Sequence, residues 1–218
     1  MSKYTQERMV QIFDKAVGKK AKTPNEIIPQ ITGQIAFERL GLTANDVLLD
    51  IGTGTGDKAI GAAHICYQVI GIDISRKSLE IASKKALEEK LDNLVFAYGS
   101  FEEPCREVDL AHYRITKILA VYSLHHLPDQ LKKRTLGTLA QMLHRPGRMV
   151  IGDLMFFEDP DGHRHQFDEV GYDGGDTDFP SRVEYLRNCL SDLGAKVGVE
   201  KIHPLVGVIV ADWSPEHT

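Results

Sequence analysis

A glycine-rich turn between a strand and a helix is the feature that most constrains how this chain folds. The apolar strand 46–51 is followed directly by the run Gly52-Thr-Gly-Thr-Gly56, and a helical stretch over 57–66 comes next. Glycines at such a junction let the backbone turn sharply and approach a ligand without a side chain in the way. A second apolar strand, 69–73, ends on Asp73. This order of strand, turn, helix, strand and acid predicts an α/β domain that binds a nucleoside.

The carboxylate of Asp73 is the predicted ribose ligand. An acid at the tip of the second strand can accept hydrogen bonds from both hydroxyls of a ribose. Each charge-assisted bond of this kind contributes about 1.5–3 kcal/mol. Several nucleoside cofactors carry a ribose, so this acid alone does not select one of them.

The glycine spacing leaves a nicotinamide cofactor open. Counted from Gly54, the last position of the pattern G-x-G-x-x-G holds Ala59, which dinucleotide-binding folds tolerate. An NAD(P)-dependent oxidoreductase is therefore an alternative function. Tyr113 and Lys117 also have the spacing of a dehydrogenase catalytic pair, but they lead directly into a β-branched strand rather than lying on one helix face. That placement favours a chance match.

Short β-branched runs alternate with amphipathic stretches along the chain, which predicts a largely parallel sheet covered by helices. Helices are predicted over 3–17, 25–40, 57–66, 76–89, 129–143 and 181–193, and strands over 46–51, 69–73, 94–98, 115–121, 148–155, 196–201 and 206–212. The link between the last two strands is too short for a parallel crossover. We therefore expect a three-layer Rossmann-like α/β fold with a mostly parallel seven-stranded sheet and an antiparallel C-terminal hairpin. One domain is expected over 1–218, with N-terminal helices within 1–42.

The segment 158–180 is too long and too polar for a routine connection. Segments of this length are commonly functional, and a lid over the substrate is the prediction that we favour here. His163 and His165 alternate along it, and Asp168 follows, so the segment can also be read as a source of metal ligands. A third ligand cannot be positioned from the sequence, and no metal is expected.

Net charge, cysteine count and the length of apolar runs limit the kinds of partner and the cellular compartment that we expect. The chain has 218 residues and a net charge of -5, which disfavours broad attraction to nucleic acid. Three widely spaced cysteines indicate neither a disulfide framework nor a zinc cluster. No apolar run approaches the roughly 18–20 residues of a membrane span, and charged residues interrupt the N-terminus where a signal peptide would be apolar. We expect a cytoplasmic protein that does not enter the membrane.

Four segments together resemble the class I methyltransferases of the S-adenosylmethionine-dependent superfamily. The resemblance covers roughly residues 45–157, and its matching runs are 47–56, 69–75, 119–127 and 146–153. It implies methyl transfer from S-adenosyl-L-methionine. In this family an acid precedes the glycines and the following helix N-terminus faces the methionine moiety, so the amides of the turn would bind its carboxylate.

The resemblance also implies which residues hold the cofactor. The implied residues are Asp50, Gly52, Thr53, Gly54, Gly56, Asp73, Ile74, Ser100, Phe101 and Ala120. Asp73 would bind the ribose, Ile74 would pack on the adenine, Ser100 with Phe101 would bound its other edge, and Ala120 would lie beside the sulfonium. Relatives usually carry Asp or Asn where Ser100 stands, which implies that the bond to the adenine amino group is weaker or relocated. They also usually carry an aromatic residue and Asp where this chain has Thr116-Lys117.

The predicted chemistry lies at the carboxyl end of the fourth strand. Methyl transfer depends mainly on holding the nucleophile, methyl and sulfur in line, and a base is needed only if the nucleophile must lose a proton. His125 and His126 follow the fourth strand, and Asp153 lies near the end of the fifth, so these three are the candidate catalytic residues. A purely structural role for the histidines, at the start of the next helix, is the alternative.

The acceptor is bounded partly by motifs that the sequence lacks. No Asn-Pro-Pro-Tyr or Asp-Pro-Pro-Tyr run follows the fourth strand, which speaks against methylation of amide or adenine nitrogens. Cys105 follows a proline, as in cytosine methyltransferases, but it comes after the third strand rather than the fourth. A small molecule is therefore the expected acceptor. A protein that binds S-adenosylmethionine without transferring its methyl group is a further alternative.

Overall fold

A computed structural model describes residues 4–17 and 27–215 of the chain. Its helices are α1 (Gln6–Ala16), α2 (Ile27–Leu40), α3 (Asp57–Ala63), α4 (Arg76–Glu88), α5 (Asp129–Met142), α6 (Phe167–Val170) and α7 (Val183–Asp192). Its strands are β1 (Val47–Ile51), β2 (Gln68–Asp73), β3 (Leu94–Tyr98), β4 (Lys117–Val121), β5 (Gly147–Phe156), β6 (Ser181–Arg182), β7 (Lys196–His203) and β8 (Val206–Trp213).

The strands form one sheet in the order β3-β2-β1-β4-β5-β8-β7. The first five strands of this path are parallel, whereas β8 pairs antiparallel with both β5 and β7. The predicted three-layer Rossmann-like fold with an antiparallel C-terminal hairpin is confirmed. The sheet has one more strand than expected, because the two residues of β6 pair with Met155 and Phe156 at the end of β5.

The central strands are apolar on both faces because helices cover the sheet from both sides. Every residue of β1 is buried, and so are the three middle residues of β4. Parallel strands buried on both faces are near-continuous hydrophobic runs in sequence, which is why these two strands were predictable. In the sheet, β2 lies on one side of β1 and β4 lies on the other, so the strand order reverses at β1. The crevice at the carboxyl ends of β1 and β4 is thus a topological switch point, where ligands of open α/β sheets bind.

Several element boundaries differ from the predictions. The fourth strand begins at Lys117 rather than residue 115, and the helix predicted from 181 begins at Val183 because β6 precedes it. The polar segment 158–180 contains a short 3-10 helix, Pro160–Gln166, followed directly by α6. Residues 3, 25 and 26 of the two predicted N-terminal helices lie outside the described residues. Among the helices that are described, none combines the length and the apolar character that crossing a bilayer requires.

Candidate active site

The glycine turn after β1 brings its backbone against the loop after β4. Gly52 and Gly54 have φ angles of 76° and 55°, in the left-handed region that favours glycine. The N–H groups of Gly52 and Thr53 both donate to the carbonyl of Ile72, at 2.8 and 3.0 Å. A Cβ atom on Gly52 would lie 2.4 Å from Cβ of Ser123, so only glycine allows this approach.

Asp73 lies at the end of β2 with its carboxylate held by two backbone amides. Oδ2 accepts a hydrogen bond from the N–H of Gly54 at 2.8 Å, and Oδ1 accepts one from the N–H of Ser75 at 2.8 Å. Burial raises the pKa of Asp73 above its ordinary value, although these backbone bonds oppose the rise. The carboxylate is therefore fixed in orientation, and each oxygen keeps a lone pair for a ligand.

Asp50 supports the turn from inside the core. Its side chain is buried, and Oδ2 accepts a hydrogen bond of 2.6 Å from the hydroxyl of Thr53. Burial is the main cause that raises the pKa of Asp50 to about 6. Gly56 also has a structural role, because a Cβ atom at this position would lie 2.7 Å from the ring of Phe96. These residues shape the turn rather than line the space above it.

A cavity of about 360 Å³ joins the turn to the loop after β4. Its lining residues are Tyr4, Gln6, Met9, Phe13, Ala16, Val17, Ile51, Gly52, Gly54, Thr55, Asp73, Ile74, Ser78, Gly99, Ser100, Phe101, Tyr122, Ser123, His126 and Leu127. Helix α1 covers the cavity. It is tied down at both ends, since the hydroxyl of Tyr4 donates to Glu102 at 2.5 Å and Asp14 accepts from the hydroxyl of Ser75 at 2.6 Å.

The end of the cavity at Tyr122 and His126 has buried polar atoms in its wall. Within the described residues, the hydroxyl of Tyr122 and Nε2 of Gln6 are buried and make no hydrogen bond. Tyr122 also has a φ of 46°, an uncommon conformation for a residue other than glycine. Because almost none of their surface is accessible, these atoms belong to the wall of the cavity and not to its open space.

Behind this end, His125 lies between two buried carboxylates. Its Nδ1 bonds to Oδ1 of Asp153, and its Nε2 lies 3.3 Å from Oδ1 of Asp178. Oδ2 of Asp153 accepts further bonds from the backbone N–H groups of Leu124 at 2.8 Å and His125 at 3.1 Å. Burial disfavours charge on His125, but Asp153 and Asp178 outweigh it and raise the pKa of His125 to about 9. This histidine is a buried cation at neutral pH.

His126 reaches the cavity from the same cluster. Its Nδ1 lies 3.1 Å from Oδ1 of Asp178 and 3.3 Å from the carbonyl of Thr177, and its side chain is 19% exposed. The ring of Phe13 packs on it, with the ring centres 4.7 Å apart. Burial, together with the adjacent charge of His125, lowers the pKa of His126 below its ordinary value. His126 is therefore neutral at neutral pH.

Asp178 is held against the histidines by a buried lysine. Lys132 on α5 is 1% exposed, and its Nζ donates to the carbonyl of Phe179 and, at 2.7 Å, to the hydroxyl of Ser181. The N–H of Phe179 in turn donates to the carbonyl of His125 at 2.7 Å. The loop before β6 is thus fastened to the loop after β4.

Within the described residues, His125, His126 and Asp178 offer one ligand atom each, and the three atoms lie within 4.8 Å of one another. That is close enough for a metal ion. Asp178 is already paired with both histidines. His125 donates from both of its ring nitrogens, to Asp153 and to Asp178, and so has no lone pair for a metal. The contacts as they stand fit an ion-pair network.

The structure divides the predicted site residues into two groups. Those that line the cavity are Gly52, Gly54, Asp73, Ile74, Ser100, Phe101 and His126, and those behind it are Asp50, Thr53, Gly56, Ala120, His125 and Asp153. The buried placement of Asp153 differs from the expected substrate contact, because β5 continues three residues past it and its carboxylate is taken up by the loop after β4. Ala120 is buried within β4.

Helix α1 and Asp178 are the parts of the site that sequence reasoning missed. Met9, Phe13 and Ala16 lie at helical spacing, a pattern that predicts a packed face but not what the face covers. Asp178 was one of several acids in a long polar segment. None of the residues 158–180 is among those that line the cavity, and the prediction that this segment is a lid stays a prediction.

Two other sequence features lie away from this site. Tyr113 lies outside the cavity lining, and Lys117 begins β4 at the opposite edge of the sheet from Asp73. The pair therefore gives no support to a dehydrogenase site. His163 binds Gln166 through Nδ1 and Glu158 through Nε2, both at 2.9 Å, so its two ring nitrogens are occupied locally.

Comparison with known proteins connects this geometry to a family. The model of a methyltransferase-domain family matches residues 42–172. The 27-O-demethylrifamycin SV methyltransferase of Amycolatopsis mediterranei is 32% identical over 145 residues, which are 66% of this chain and 51% of that relative. The chain thus spans about half the length of this relative.

Two solved structures share the fold over nearly the whole chain. Magnesium protoporphyrin IX methyltransferase from Synechocystis, determined with bound SAH, has a TM-score of 0.70 and 17% identity over 96% of this chain and 100% of its own. The [4+2]-cyclase SpnF has a TM-score of 0.71 and 17% identity over 97% and 98% of the two chains. Since one is a methyltransferase and the other a cyclase, the fold does not by itself define a reaction.

Proposed function

The chain belongs to the methyltransferase-domain family, and we propose that it transfers the methyl group of S-adenosyl-L-methionine to a small organic acceptor. The membership confirms the resemblance read from the sequence. The observation that carries the proposed activity is the single cavity that reaches from Asp73 to His126.

The residues at one end of the cavity fit the adenosyl cofactor. Asp73 is held by amides and lines the cavity, and at Gly54 no atom stands within 4 Å of where a side chain would begin. Asp73 would bind the ribose hydroxyls, Ile74 and Phe101 would pack on the adenine, and the turn amides would bind the carboxylate. The hydroxyl oxygen of Ser100 already accepts hydrogen bonds from the backbone N–H groups of Glu102 and Glu103, which fits a weaker or relocated bond to the adenine.

The other end of the cavity fits an acceptor. When bound, the cofactor supplies a methyl group on a positively charged sulfur, which a nucleophile displaces. His126 lines this end of the cavity with a partly exposed side chain, which would contact a small molecule bound there. Helix α1 covers part of the cavity and would limit the access of water to the reacting groups, which would strengthen electrostatic interactions there.

A small acceptor fits better than a macromolecule. The cavity is covered by α1, so a nucleic acid or protein chain would have to displace that helix. The net charge of -5 gives no general attraction to nucleic acid. The relative from Amycolatopsis mediterranei is named as the methyltransferase of a small organic compound, 27-O-demethylrifamycin SV. This likeness supports a small organic acceptor for this chain.

Two measurements test the proposal. Titration calorimetry with S-adenosylmethionine, S-adenosylhomocysteine and NAD(P) should show binding of the first two and none of the third. Methyl transfer from labelled cofactor into a metabolite extract should then give labelled small molecules. Binding of NAD(P) alone would favour the oxidoreductase, and binding of both sulfur nucleosides without transfer to any compound would favour a non-catalytic binding protein.

A further inference from the structure

We propose that His126, oriented by Asp178, is the base that removes the proton from a hydroxyl of the acceptor, and that this acceptor is an uncharged alcohol or phenol on an apolar frame. This inference rests on the proposed methyl transfer. It adds the acceptor atom, the class of acceptor and a positioning role for Asp178, none of which the family or the fold defines.

The contacts of His126 determine which of its nitrogens is free to act. Nδ1 faces two acceptors, Oδ1 of Asp178 at 3.1 Å and the carbonyl of Thr177 at 3.3 Å, so Nδ1 carries the proton. Nε2 then has the lone pair, and within the described residues it makes no hydrogen bond. A carboxylate that fixes a histidine tautomer in this way makes the other nitrogen a proton acceptor.

The second histidine keeps this base neutral. His125 lies against Asp153 and Asp178 and is a cation, and its ring centre is 3.9 Å from that of His126. A positive charge this close disfavours a second one, and burial acts in the same direction, so the pKa of His126 is lowered. Asp178 opposes this shift most directly, followed by Asp153. His126 is therefore an unprotonated imidazole at neutral pH, ready to accept a proton.

The lining of the cavity defines the acceptor's frame. Among the described residues that line it, Asp73 is the only acid. Of the described residues that line the cavity, none is a lysine or arginine that could pair with a carboxylate or phosphate on an acceptor. Phe13 and Leu127 present apolar surface beside His126, and Tyr122 contributes an aromatic ring. This surface fits an apolar ring system.

The proposed step conserves atoms and charge. The acceptor oxygen forms its new bond to the methyl carbon as the carbon–sulfur bond breaks, and the bonding pair stays on sulfur. The hydroxyl proton passes to Nε2 of His126, which later releases it to water. A neutral alcohol or phenol is a weak nucleophile, so a base at this position supplies about 10²–10⁴-fold of rate. A thiol, which ionises readily, needs no such base.

A matched set of acceptors tests the inference. The probes are 2-naphthol and 2-naphthalenethiol, which share one apolar frame. The wild type should methylate the naphthol, His126→Gln should lower its kcat by about 100-fold or more, and Asp178→Asn by about tenfold or more. KM should change little. Transfer to the thiol should persist in both variants. Equal loss with naphthol and thiol, or failure of the wild type to methylate the naphthol, contradicts the inference.

The pH profile and NMR give readouts that a merely structural role would not move. The kcat for naphthol should rise with pH through the pKa of His126 and then level off. Asp178→Asn should move that rise to lower pH, because the carboxylate raises the pKa of His126. In cofactor-free protein, ¹⁵N NMR of the imidazole should show the Nδ1–H tautomer, and Asp178→Asn should weaken this preference, because the carbonyl of Thr177 then remains as an acceptor. The opposite tautomer in the wild type would contradict the assignment.

Two controls separate the explanations. Asp168→Asn changes an exposed acid of the same segment and should leave naphthol methylation unchanged. Treatment with EDTA should also leave it unchanged. Activity that EDTA removes and a divalent cation restores would overturn the assignment, because the same atoms would then be metal ligands. S-adenosylmethionine binding is measured for every variant. Its absence in the wild type contradicts the proposed methyl transfer itself, whereas normal binding with the failures above contradicts only the role of His126.

Discussion

The carboxylate of Asp73 and the backbone N–H of Gly54 are joined by a hydrogen bond of 2.8 Å, which ties the end of β2 to the turn after β1. The two parts of the predicted cofactor site therefore support one another. The turn positions the carboxylate, and the carboxylate in turn holds the turn in its left-handed conformation. Loss of either should disturb cofactor binding.

Substitution of Asp73 should weaken cofactor binding. We expect Asp73→Ala to raise the Kd for S-adenosylhomocysteine by at least about tenfold, because it deletes a carboxylate that would bind two ribose hydroxyls. A tenfold change in Kd corresponds to about 1.4 kcal/mol of binding free energy. Titration calorimetry measures the change. Asp92→Ala, an exposed acid outside the cavity lining, is the control and should bind normally. Unchanged affinity in Asp73→Ala would remove this residue from the site.

Alanine at two glycines of the turn should have unequal effects. Gly54 has a positive φ but open space where a Cβ would lie, so Gly54→Ala should cost only the strain of the left-handed backbone, about 1–2 kcal/mol. Gly52→Ala carries the same strain and also places a Cβ 2.4 Å from Cβ of Ser123. Urea unfolding of the two variants should show the larger loss for Gly52→Ala. Equal losses would mean that the loop after β4 yields easily.

The charge on His125 should make stability depend on pH. The pKa of His125 is raised from an ordinary value of 6.5 to about 9, so its contribution is fully present below about pH 6.5 and is lost as the pH rises through about 9. The contribution is on the order of 3 kcal/mol. Urea unfolding at pH 6.5 and pH 9.5 should therefore show a fall in the wild type.

The variant His125→Gln should be less stable throughout but should lose much less between these two pH values. It removes the group whose protonation is linked to folding and leaves the other titratable groups in place. A fall of the same size in this variant and the wild type would show that other groups are responsible.

Removal of the buried lysine should affect catalysis without affecting cofactor affinity. Lys132→Met keeps an unbranched side chain that is one atom shorter and deletes the bonds to the carbonyl of Phe179 and the hydroxyl of Ser181. Asp178 lies next to Phe179, so we expect kcat for 2-naphthol to fall several-fold. The Kd for S-adenosylhomocysteine should not change, since Lys132 lies outside the cavity lining. Arg134→Met on the exposed side of α5 is the control. A parallel loss of affinity would indicate a general loss of structure.

The sequence by itself determined the sheet, the turn and the acid at the end of β2. These features are local: the apolar runs of β1 and β4 must be buried on both faces, glycine is favoured where φ is positive, and the residue that ends a strand lies at the edge of the sheet. The order of the elements along the chain then predicts the fold, because the connections between parallel strands have one favoured hand.

Only the tertiary structure decided which groups act together at the far end of the cavity. His125 and His126 are neighbours in sequence, yet one lies between Asp153 and Asp178 and the other reaches the cavity. The different environments of the two histidines depend on Asp178. This residue comes from a loop that is distant in sequence and that Lys132 fastens in place. Charge and proton position follow from burial and from the distance to other charges, and neither quantity can be read from residue order alone.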